Sequence, residues 1–252
     1  MPSTIVLISG ANRGLGKGLL ELYLSKPNHT VIAANRDPTS SSSKDLALLP
    51  TGLGSHLIVV KVDASAETDA LEAVKTISAQ GIDHIDIVIA NAGVSYIWPK
   101  VSELKIEDLQ GHLIPNVFGV VRLFQATLGL LLKSKDPKWV TIGSTAGVIE
   151  NVSSCSQNQL SITNAAYGTS KAAVHWLTKR IDAEEEKLNA FVIHPGWCKT
   201  DLGNAGAQYF GLKEAVIETA DACQLMVEMI GVATKESHGG RLWDVQEGLL
   251  AW

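Results

Sequence analysis

The strongest constraint on the fold is an alternation of short apolar runs with longer helical patterns along the whole chain. Most runs are rich in β-branched residues and apolar on both faces, as parallel strands are when helices cover each side of a sheet. The alternation therefore predicts a doubly wound α/β sheet. The predicted strands are Thr4–Ser9, Thr30–Ala34, Leu57–Val62, Ile85–Ala90, Trp139–Ile142, Ala190–Ile193 and Arg241–Val245. The predicted helices cover residues 15–26, 44–49, 66–80, 103–133, 165–187 and 213–231.

Length and composition predict a single domain over residues 1–252. Apolar residues make up 46% and charged residues 19% of the chain, which is enough for a sizeable core. The net charge is −5 and basic residues form no stripe, so neither nucleic acid nor an anionic membrane is expected as a partner. Few, widely spaced cysteines, no secretion signal and no long apolar run predict a cytoplasmic protein.

A glycine-rich turn directly follows the first predicted strand. It reads Gly10-Ala11-Asn12-Arg13-Gly14-Leu15-Gly16 and opens the first predicted helix. Glycines permit a tight turn and a close approach of backbone to phosphate, and a helix N-terminus offers free N–H groups to an anion. A tight turn without a ligand is the alternative, but the position after the first strand favours a dinucleotide.

The end of the second predicted strand indicates which dinucleotide is bound. NAD-binding folds often place a carboxylate about 20 residues after the glycine turn, to hold the ribose 2′-hydroxyl. Here Asn35 and Arg36 occupy that place, and Arg13 in the glycine turn can reach the same region. Two guanidinium groups favour a 2′-phosphate and hence NADP(H). The reservations are that Asp37 follows closely and that both arginines could be ordinary surface charges.

Tyr167 and Lys171 are the candidate acid–base pair. They lie four residues apart at the start of a predicted helix and therefore share one helix face. A free tyrosine has a pKa of about 10, and a nearby cation, together with the positive charge of oxidised nicotinamide, is expected to lower that pKa so that the phenol can exchange a proton with a substrate. Ser144, at the end of the fifth predicted strand, can hydrogen-bond the same substrate oxygen. This tyrosine–lysine spacing is common by chance, so the prediction depends on the other motifs found around it.

Two further polar segments belong to the same region. Asn91-Ala92-Gly93 closes the fourth predicted strand, where small residues either let a ribose pack against backbone or form a plain turn. Asn116 lies beside Pro115 inside the long predicted helix, where asparagine is mildly unfavourable. It either caps a kink or marks a backbone distortion that holds a water next to Lys171.

In their order along the chain, these motifs resemble those of the short-chain dehydrogenase/reductase family, over nearly the whole sequence. The resemblance implies a single-domain, Rossmann-type sheet of about seven strands flanked by helices, in a homodimer or homotetramer. It implies a catalytic tetrad of Asn116, Ser144, Tyr167 and Lys171, the last two also contacting the cofactor. It further implies that Asp63 and Ala64 lie near the adenine, and that Pro195, Gly196, Trp197 and Thr200 surround the nicotinamide.

Within the family, the chain resembles fungal ketoreductases of the norsolorinic acid reductase type. It departs from the family at Ser9, which keeps the hydroxyl of the usual threonine, and at Ala90, where an asparagine is common. The stretch before the tyrosine is longer than usual and predicts a loop at the active-site mouth, around residues 153–160. The segments that carry this resemblance are the glycine turn, His194–Gly203 and Gly240–Asp244.

The loops after strands four, five and six supply the candidate substrate pocket. Its aromatic and aliphatic side chains suit an apolar or aromatic ketone, although each could instead pack a lid onto the protein body. Residues 201–220 are predicted to form that lid, because their glycines allow movement. The histidines show no metal-ligand spacing, so no metal is expected. The candidate pocket residues are Val94, Tyr96, Trp98, Leu160, Trp197, Tyr209 and Phe210.

The sequence as a whole predicts a carbonyl reductase, or alcohol dehydrogenase, that passes a hydride between NADP(H) and a ketone, with Tyr167 as general acid or base. Two alternatives remain open. An enoyl reductase would usually separate the tyrosine and the lysine more widely. A non-catalytic NADP(H)-binding regulator would tend to lose one of the two, and this chain has both.

Overall fold

A computed structural model describes residues 3–152 and 162–252, which fold around one eight-stranded sheet. The strands are β1 (Thr4–Ser9), β2 (His29–Asn35), β3 (His56–Lys61), β4 (Ile87–Ala90), β5 (Lys138–Ile142), β6 (Asn189–His194), β7 (Leu242–Asp244) and β8 (Gly248–Leu250). Their order across the sheet is β3-β2-β1-β4-β5-β6-β7-β8, parallel up to β7 with β8 antiparallel. The winding reverses between β1 and β4, and ligands of such sheets bind at that point, outside the carboxyl ends of the strands.

Helices cover both faces of this sheet. The longer ones are α1 (Gly14–Ser25), α2 (Asp69–Ala79), α3 (Ile106–Leu131), α4 (Ala165–Glu184), α5 (Asp201–Tyr209) and α6 (Thr219–Val232). Helices α1 and α6 pack on each other over one face, while α2, α3 and α4 pack over the other. Short α-helical turns span Ser41–Lys44, Ile149–Val152 and Lys235–His238, and 3₁₀ turns span Asp45–Leu48, Val101–Glu103 and Thr145–Gly147.

The first strand shows how the sequence produces this layering. Side chains of a strand alternate between its two faces. Ile5 and Leu7 therefore enter the core beneath α2, α3 and α4, whereas Val6 and Ile8 enter the core beneath α1 and α6. All four are buried, which is why the run has no polar alternation.

The predicted fold class is confirmed, with two elements added. The antiparallel strand β8 was not expected, because a three-residue strand after a turn has too little apolar pattern to stand out. Helix α5 is not predicted by the sequence either, because its two glycines lower its helix propensity. The helix predicted over residues 213–231 begins only at Thr219. The Leu160 position and the loop predicted around residues 153–160 lie outside the described residues.

Helix α3 contains a local break that bears on the site. It is α-helical over Ile106–Leu113, forms a π turn over Ile114–Phe118 and resumes over Gly119–Leu131. Pro115 has no N–H to donate to the preceding turn, which favours such a break. By length and composition α3 resembles a membrane span, but here it packs against α2 and α4 as one layer of the fold.

Candidate active site

A single cavity of about 1180 Å³ joins the glycine turn to the tyrosine–lysine pair across the carboxyl ends of the strands. Most of the predicted site residues line it. From the cofactor set these are Gly10, Asn12, Arg13, Gly14, Leu15, Gly16, Arg36, Asp63, Ala64, Asn91, Ala92, Gly93, Pro195, Gly196, Trp197 and Thr200. From the catalytic and substrate sets they are Ser144, Tyr167, Lys171, Val94, Tyr96, Trp98 and Phe210.

The glycine turn can adopt its shape only without side chains at three positions. Gly10 has φ +65° and Gly14 has φ +52°, a region that residues with a Cβ rarely occupy. A Cβ on Gly16 would lie 2.2 Å from the Gly10 carbonyl oxygen and 2.6 Å from Asn91 Nδ2. The turn is therefore closed on itself and leaves the N-terminus of α1 facing the cavity.

Ser9 and Asn91 clamp this turn to the end of β4. The Ser9 hydroxyl accepts hydrogen bonds from the backbone N–H groups of Asn91 and Ala92, each at 3.0 Å. The Asn91 amide donates to the Ser9 carbonyl at 2.8 Å and to the Gly10 carbonyl at 3.2 Å. A hydroxyl at position 9 is what this clamp requires, so serine serves in place of threonine.

The structure corrects the expected role of Asn35. Its side chain is fully buried and does not line the cavity. Asn35 Oδ1 accepts the Ala11 N–H at 2.9 Å, and Nδ2 donates to the Ser43 hydroxyl at 3.2 Å. Asn35 thus braces the glycine turn from behind instead of facing a ligand.

The corner beside Arg36 contains hydroxyl groups that sequence reasoning missed. Ser40 and Ser42 line the cavity there, and the Asn12 amide donates to the Ser42 hydroxyl at 2.8 Å. The serine-rich composition of residues 39–43 was the available signal, but composition alone does not show that the loop folds back onto the glycine turn.

Asp37 and Arg13, two charged residues that bear on the cofactor choice, line the cavity, and each also contacts another residue of the protein. The Asp37 carboxylate accepts the hydroxyl and the N–H of Thr39, at 2.7 and 2.8 Å, and these bonds lower the pKa of Asp37. Arg13 lies 3.9 Å from Asp201 at the start of α5, and both side chains are largely exposed. Asp37 is therefore engaged within its own loop, while Arg13 is held only by a weak surface contact.

The segment after β6 connects the cavity to helix α5. Gly196 has φ +80°, and the Trp197 indole N–H donates to the Gly203 carbonyl at 2.9 Å. The Thr200 hydroxyl caps α5 by accepting the Gly203 N–H at 3.1 Å. The predicted lid is thus a capped helix followed by a loop, tied at its start to the cavity wall.

Ser144, Tyr167 and Lys171 converge where β5 ends against α4. The Lys171 ammonium donates to the Ile142 carbonyl at 2.6 Å and lies 5.6 Å from the centre of the Tyr167 ring. The Ser144 side chain lies beside the Tyr167 phenol, and both residues line the cavity. The four-residue spacing seen in the sequence therefore places both side chains beside one strand end.

Burial dominates the protonation of this pair. It raises the pKa of Tyr167 to about 12, opposed in part by the hydrogen bond from Ser144. It lowers the pKa of Lys171 to about 8. The lower tyrosine pKa expected from the sequence depends also on the charge of an oxidised nicotinamide and stays a prediction, whereas in the protein alone the loss of solvent sets the direction of the shift. The phenol is consequently protonated at neutral pH.

Asn116 stands behind the cavity wall in the π turn of α3. Its Oδ1 accepts the Val94 N–H at 2.7 Å, and Nδ2 donates to the Val94 carbonyl at 2.9 Å and to the Ser170 hydroxyl at 2.9 Å. It is buried and does not line the cavity. Asn116 joins the loop after β4 to the helix that carries Tyr167 and Lys171.

Aromatic rings build the substrate side of the cavity. Trp98 contacts Tyr209 and Phe210, with ring centres 5.0 and 6.2 Å apart. Tyr96 stacks on the buried His112 ring at 4.3 Å. Tyr209 does not line the cavity and packs against Trp98 at 58% exposure, so it supports the wall and does not face a substrate.

One buried and one partly buried histidine lie next to the candidate acid–base pair. His194 lines the cavity, 3.4 Å from the Thr145 hydroxyl and 3.7 Å from the Asp244 carboxylate, and burial lowers its pKa to about 4. His175 accepts the Ser144 N–H. Over residues 3–152 and 162–252, no three His, Cys, Asp or Glu side chains are grouped as a metal site.

Comparison with known sequences identifies the family. A family model described as short chain dehydrogenase matches residues 4–208. The Short-chain dehydrogenase srdF of Neurospora crassa is 40% identical over 240 residues, covering 94% of this chain and 93% of the relative. The Norsolorinic acid ketoreductase of Aspergillus parasiticus is 36% identical over 239 residues, covering 94% of this chain and 86% of the relative. The chain belongs to the short-chain dehydrogenase family and is an oxidoreductase.

Solved structures show the same fold. An NADPH-bound carbonyl reductase from chicken fatty liver superposes with a TM-score of 0.85 at 23% identity, over 100% of both chains. The carbonyl reductase Sniffer of Drosophila melanogaster superposes with a TM-score of 0.82 at 22% identity, over 99% of this chain and 100% of that one. The Rossmann-type architecture predicted from the sequence is confirmed.

The close contact of Gly16 with Gly10 can be tested by substitution. We expect Gly16→Ala to abolish NADPH binding and to lower the melting temperature, because the added Cβ meets the Gly10 carbonyl at 2.2 Å. Gly129→Ala is the matched control, since nothing lies within 4 Å of its added Cβ in the last turn of α3. The control should bind normally and gain roughly 0.5–1 kcal/mol of stability. Fluorescence titration and thermal unfolding measure both, and equal behaviour of the two variants would contradict the description of the turn.

Proposed function

We propose that this chain is an NADP(H)-dependent carbonyl reductase that reduces an apolar or aromatic ketone and, in reverse, oxidises the alcohol. One observation carries the proposal. Ser144, Tyr167 and Lys171 converge on the wall of the cavity that begins at the glycine turn. A dinucleotide lying along that cavity would bring its reactive end beside a proton donor.

The cavity fits a phosphorylated dinucleotide at its glycine-turn end. The backbone there carries no side chain at Gly10 and Gly14, so phosphates can approach the N-terminus of α1. Arg36, Ser40 and Ser42 line the neighbouring corner with a cation and hydroxyl donors, which suits a 2′-phosphate. The Asp37 carboxylate lines the same corner, with its Oδ1 engaged by Thr39. The NADPH in the chicken carbonyl reductase is consistent with this choice.

The protein groups then have distinct roles. When bound, NADP(H) supplies the hydride to the carbonyl carbon. Tyr167 donates its proton to the carbonyl oxygen, and the Ser144 hydroxyl hydrogen-bonds the same oxygen as negative charge develops on it. The Lys171 ammonium stabilises the phenolate that remains on Tyr167. A pKa of about 12 keeps Tyr167 protonated and ready to act as an acid.

Asn116 lies behind the cavity wall and supports the residues that would react. Its amide bonds to the Val94 backbone and to Ser170 hold the loop after β4 at a fixed distance from α4. The π turn that contains it is the backbone distortion expected from the sequence, and we propose that it holds a water near Lys171. Through these contacts Asn116 fixes the position of the loop after β4 relative to Tyr167 and Lys171.

The substrate side supports an aromatic ketone. Val94, Tyr96, Trp98, Trp197 and Phe210 form its wall, and such rings provide large apolar surfaces for a planar molecule. Relatives named as norsolorinic acid ketoreductases, from Aspergillus parasiticus and from Dothistroma septosporum, are 36% and 38% identical to this chain. We therefore place the substrate in the same broad class of aromatic ketones.

We further propose a homodimer or homotetramer in the cytoplasm. Phe118 and Trp176 are 49% and 64% exposed on α3 and α4, and a second copy of the chain would cover such apolar groups. Cys198 and Cys223 are free thiols, which suits a reducing compartment.

Replacement of the phenol tests the reaction. We expect Tyr167→Phe to lower kcat for aromatic ketones by about a thousandfold, because proton transfer by a positioned side chain contributes roughly 10²–10⁴-fold. NADPH oxidation followed by absorbance measures it across a panel of aromatic ketones and β-ketoesters. Tyr209→Phe, outside the cavity, is the control. Turnover that survives in Tyr167→Phe, or NADPH binding without turnover in the wild type, would contradict the assignment.

Replacement of Arg36 tests the cofactor. We expect Arg36→Ala to weaken NADPH binding about tenfold or more while NADH binding changes little, because only NADPH offers a 2′-phosphate to the guanidinium. Arg180→Ala is the matched control, since Arg180 pairs with Glu184 on the surface of α4. Equal weakening of both cofactors would place the 2′-phosphate elsewhere.

The buried lysine predicts a pH dependence. The pKa of Lys171 is lowered to about 8, and a lysine loses its charge as the pH rises through its pKa. Ketone reduction at saturating NADPH should therefore be constant below pH about 8 and fall above it. Lys171→Met should be slower throughout and should lack this decline. A wild-type profile that stays flat up to pH 10, or one unchanged in the variant, would refute the electrostatic role of Lys171.

A further inference from the structure

Helix α4 carries a third polar residue on the face that bears the acid–base pair. Tyr167, Lys171 and His175 follow one another at intervals of four residues, and such residues lie on the same side of a helix. The proposed reaction uses the first two. His175 is buried one turn beyond Lys171, and its imidazole touches neither the cavity nor solvent.

The His175 ring is wedged under the end of β5. Its Nε2 accepts a hydrogen bond from the backbone N–H of Ser144 at 3.3 Å. A Cβ on Gly143 would lie 2.6 Å from His175 Nε2, and one on Gly147 would lie 2.6 Å from the Ala172 nitrogen. The strand end therefore presents two glycines to α4, and the backbone between them can reach the imidazole.

This contact determines the state of the imidazole. A backbone N–H can only donate, so Nε2 must carry the lone pair and the proton must sit on Nδ1. Burial, together with the positive charge of Lys171, lowers the pKa of His175 to about 3. The ring is consequently neutral at physiological pH and keeps its acceptor facing Ser144. The backbone of Gly147 opposes this lowering of the pKa in part, and the Nε2 contact is the one that reaches Ser144.

The Ser144 backbone is held at two points: its N–H donates to His175 Nε2, and its carbonyl accepts the Gly147 N–H at 2.9 Å. Its hydroxyl accepts the Ala146 N–H at 3.2 Å and lies beside the Tyr167 phenol. A serine hydroxyl rotates about one bond, so its position depends on where the Ser144 backbone lies. We propose that His175 is a positioning residue that holds the Ser144 N–H and thereby sets the Ser144 hydroxyl against Tyr167. This role rests on the carbonyl reduction proposed above.

Two substitutions separate this role from space filling. His175→Leu fills a similar volume but offers no acceptor. His175→Gln keeps an amide oxygen that can reach the position of Nε2. With an aromatic ketone and saturating NADPH, His175→Leu should lower kcat roughly tenfold to a hundredfold, because small misplacements of reacting groups carry such costs. The KM for ketone should change by less than about twofold, and His175→Gln should recover most of the rate.

Thr178→Val is the matched control on the same helix. Thr178 is buried and bonds the Thr141 hydroxyl at 2.7 Å, away from the cavity. Its loss should lower thermal stability and leave kcat unchanged. A purely structural role for His175 would give the same pattern as this control, and that result would overturn the proposal.

Exchange of the Ser144 amide proton, followed by NMR, gives a readout that does not need turnover. It should be at least about tenfold faster in His175→Leu than in the wild type and near wild type in His175→Gln, because exchange requires the hydrogen bond to open. Unchanged exchange in His175→Leu would refute the hold on Ser144 whatever the kinetics show. Faster exchange in a protein that reduces no ketone would instead refute the proposed function and leave the contact standing.

Discussion

The structure depends most on the close packing of α4 against the end of β5. Gly143 and Gly147 carry no side chains there, so helix and strand end approach within hydrogen-bonding distance, and Lys171 donates directly to the Ile142 carbonyl. Without that approach, a tyrosine and a lysine four residues apart would be two side chains on an ordinary helix. Because of this packing, the Tyr167 phenol and the Lys171 ammonium lie beside Ser144 at the edge of the cavity. The site is therefore a property of the helix–strand contact as much as of its residues.

The same principle governs the other end of the cavity. Gly16 presses its backbone against the Gly10 carbonyl, and Ser9 and Asn91 hold the turn to β4. At the glycine turn and at the end of β5, glycines allow two elements to come into contact, and a buried polar side chain then holds them together through hydrogen bonds. Unsatisfied polar groups in a core are costly, so these bonds specify one arrangement. The glycine turn and the candidate acid–base pair are consequently held by separate contacts at the edge of one sheet.

Sequence reasoning predicted the sheet and the convergence of Tyr167 with Lys171 because both depend on local signals. A buried parallel strand shows as an apolar run, and a shared helix face shows as a spacing of four. It failed where a role depends on distant backbone. Nothing near Asn35 indicates that its amide reaches the Ala11 N–H, and nothing in residues 39–43 indicates that their hydroxyls reach the glycine turn. Helix α5 was hidden because Gly203 lowers helix propensity, yet a Cβ there would lie 2.0 Å from the Cys198 carbonyl oxygen.

Burial places the ionisable groups around Ser144 in a consistent electrostatic state. It raises the pKa of Tyr167 and lowers those of Lys171, His175 and His194, so each group is shifted toward its neutral form. Lys171, with a pKa of about 8, is the member of this set that still carries charge at neutral pH. In a poorly solvated site, negative charge on an oxygen would be stabilised chiefly by that one cation and by fixed hydrogen bonds. In the proposed reaction, proton transfer from Tyr167 would be unfavourable until negative charge develops on a bound carbonyl, and this would couple proton transfer to hydride transfer.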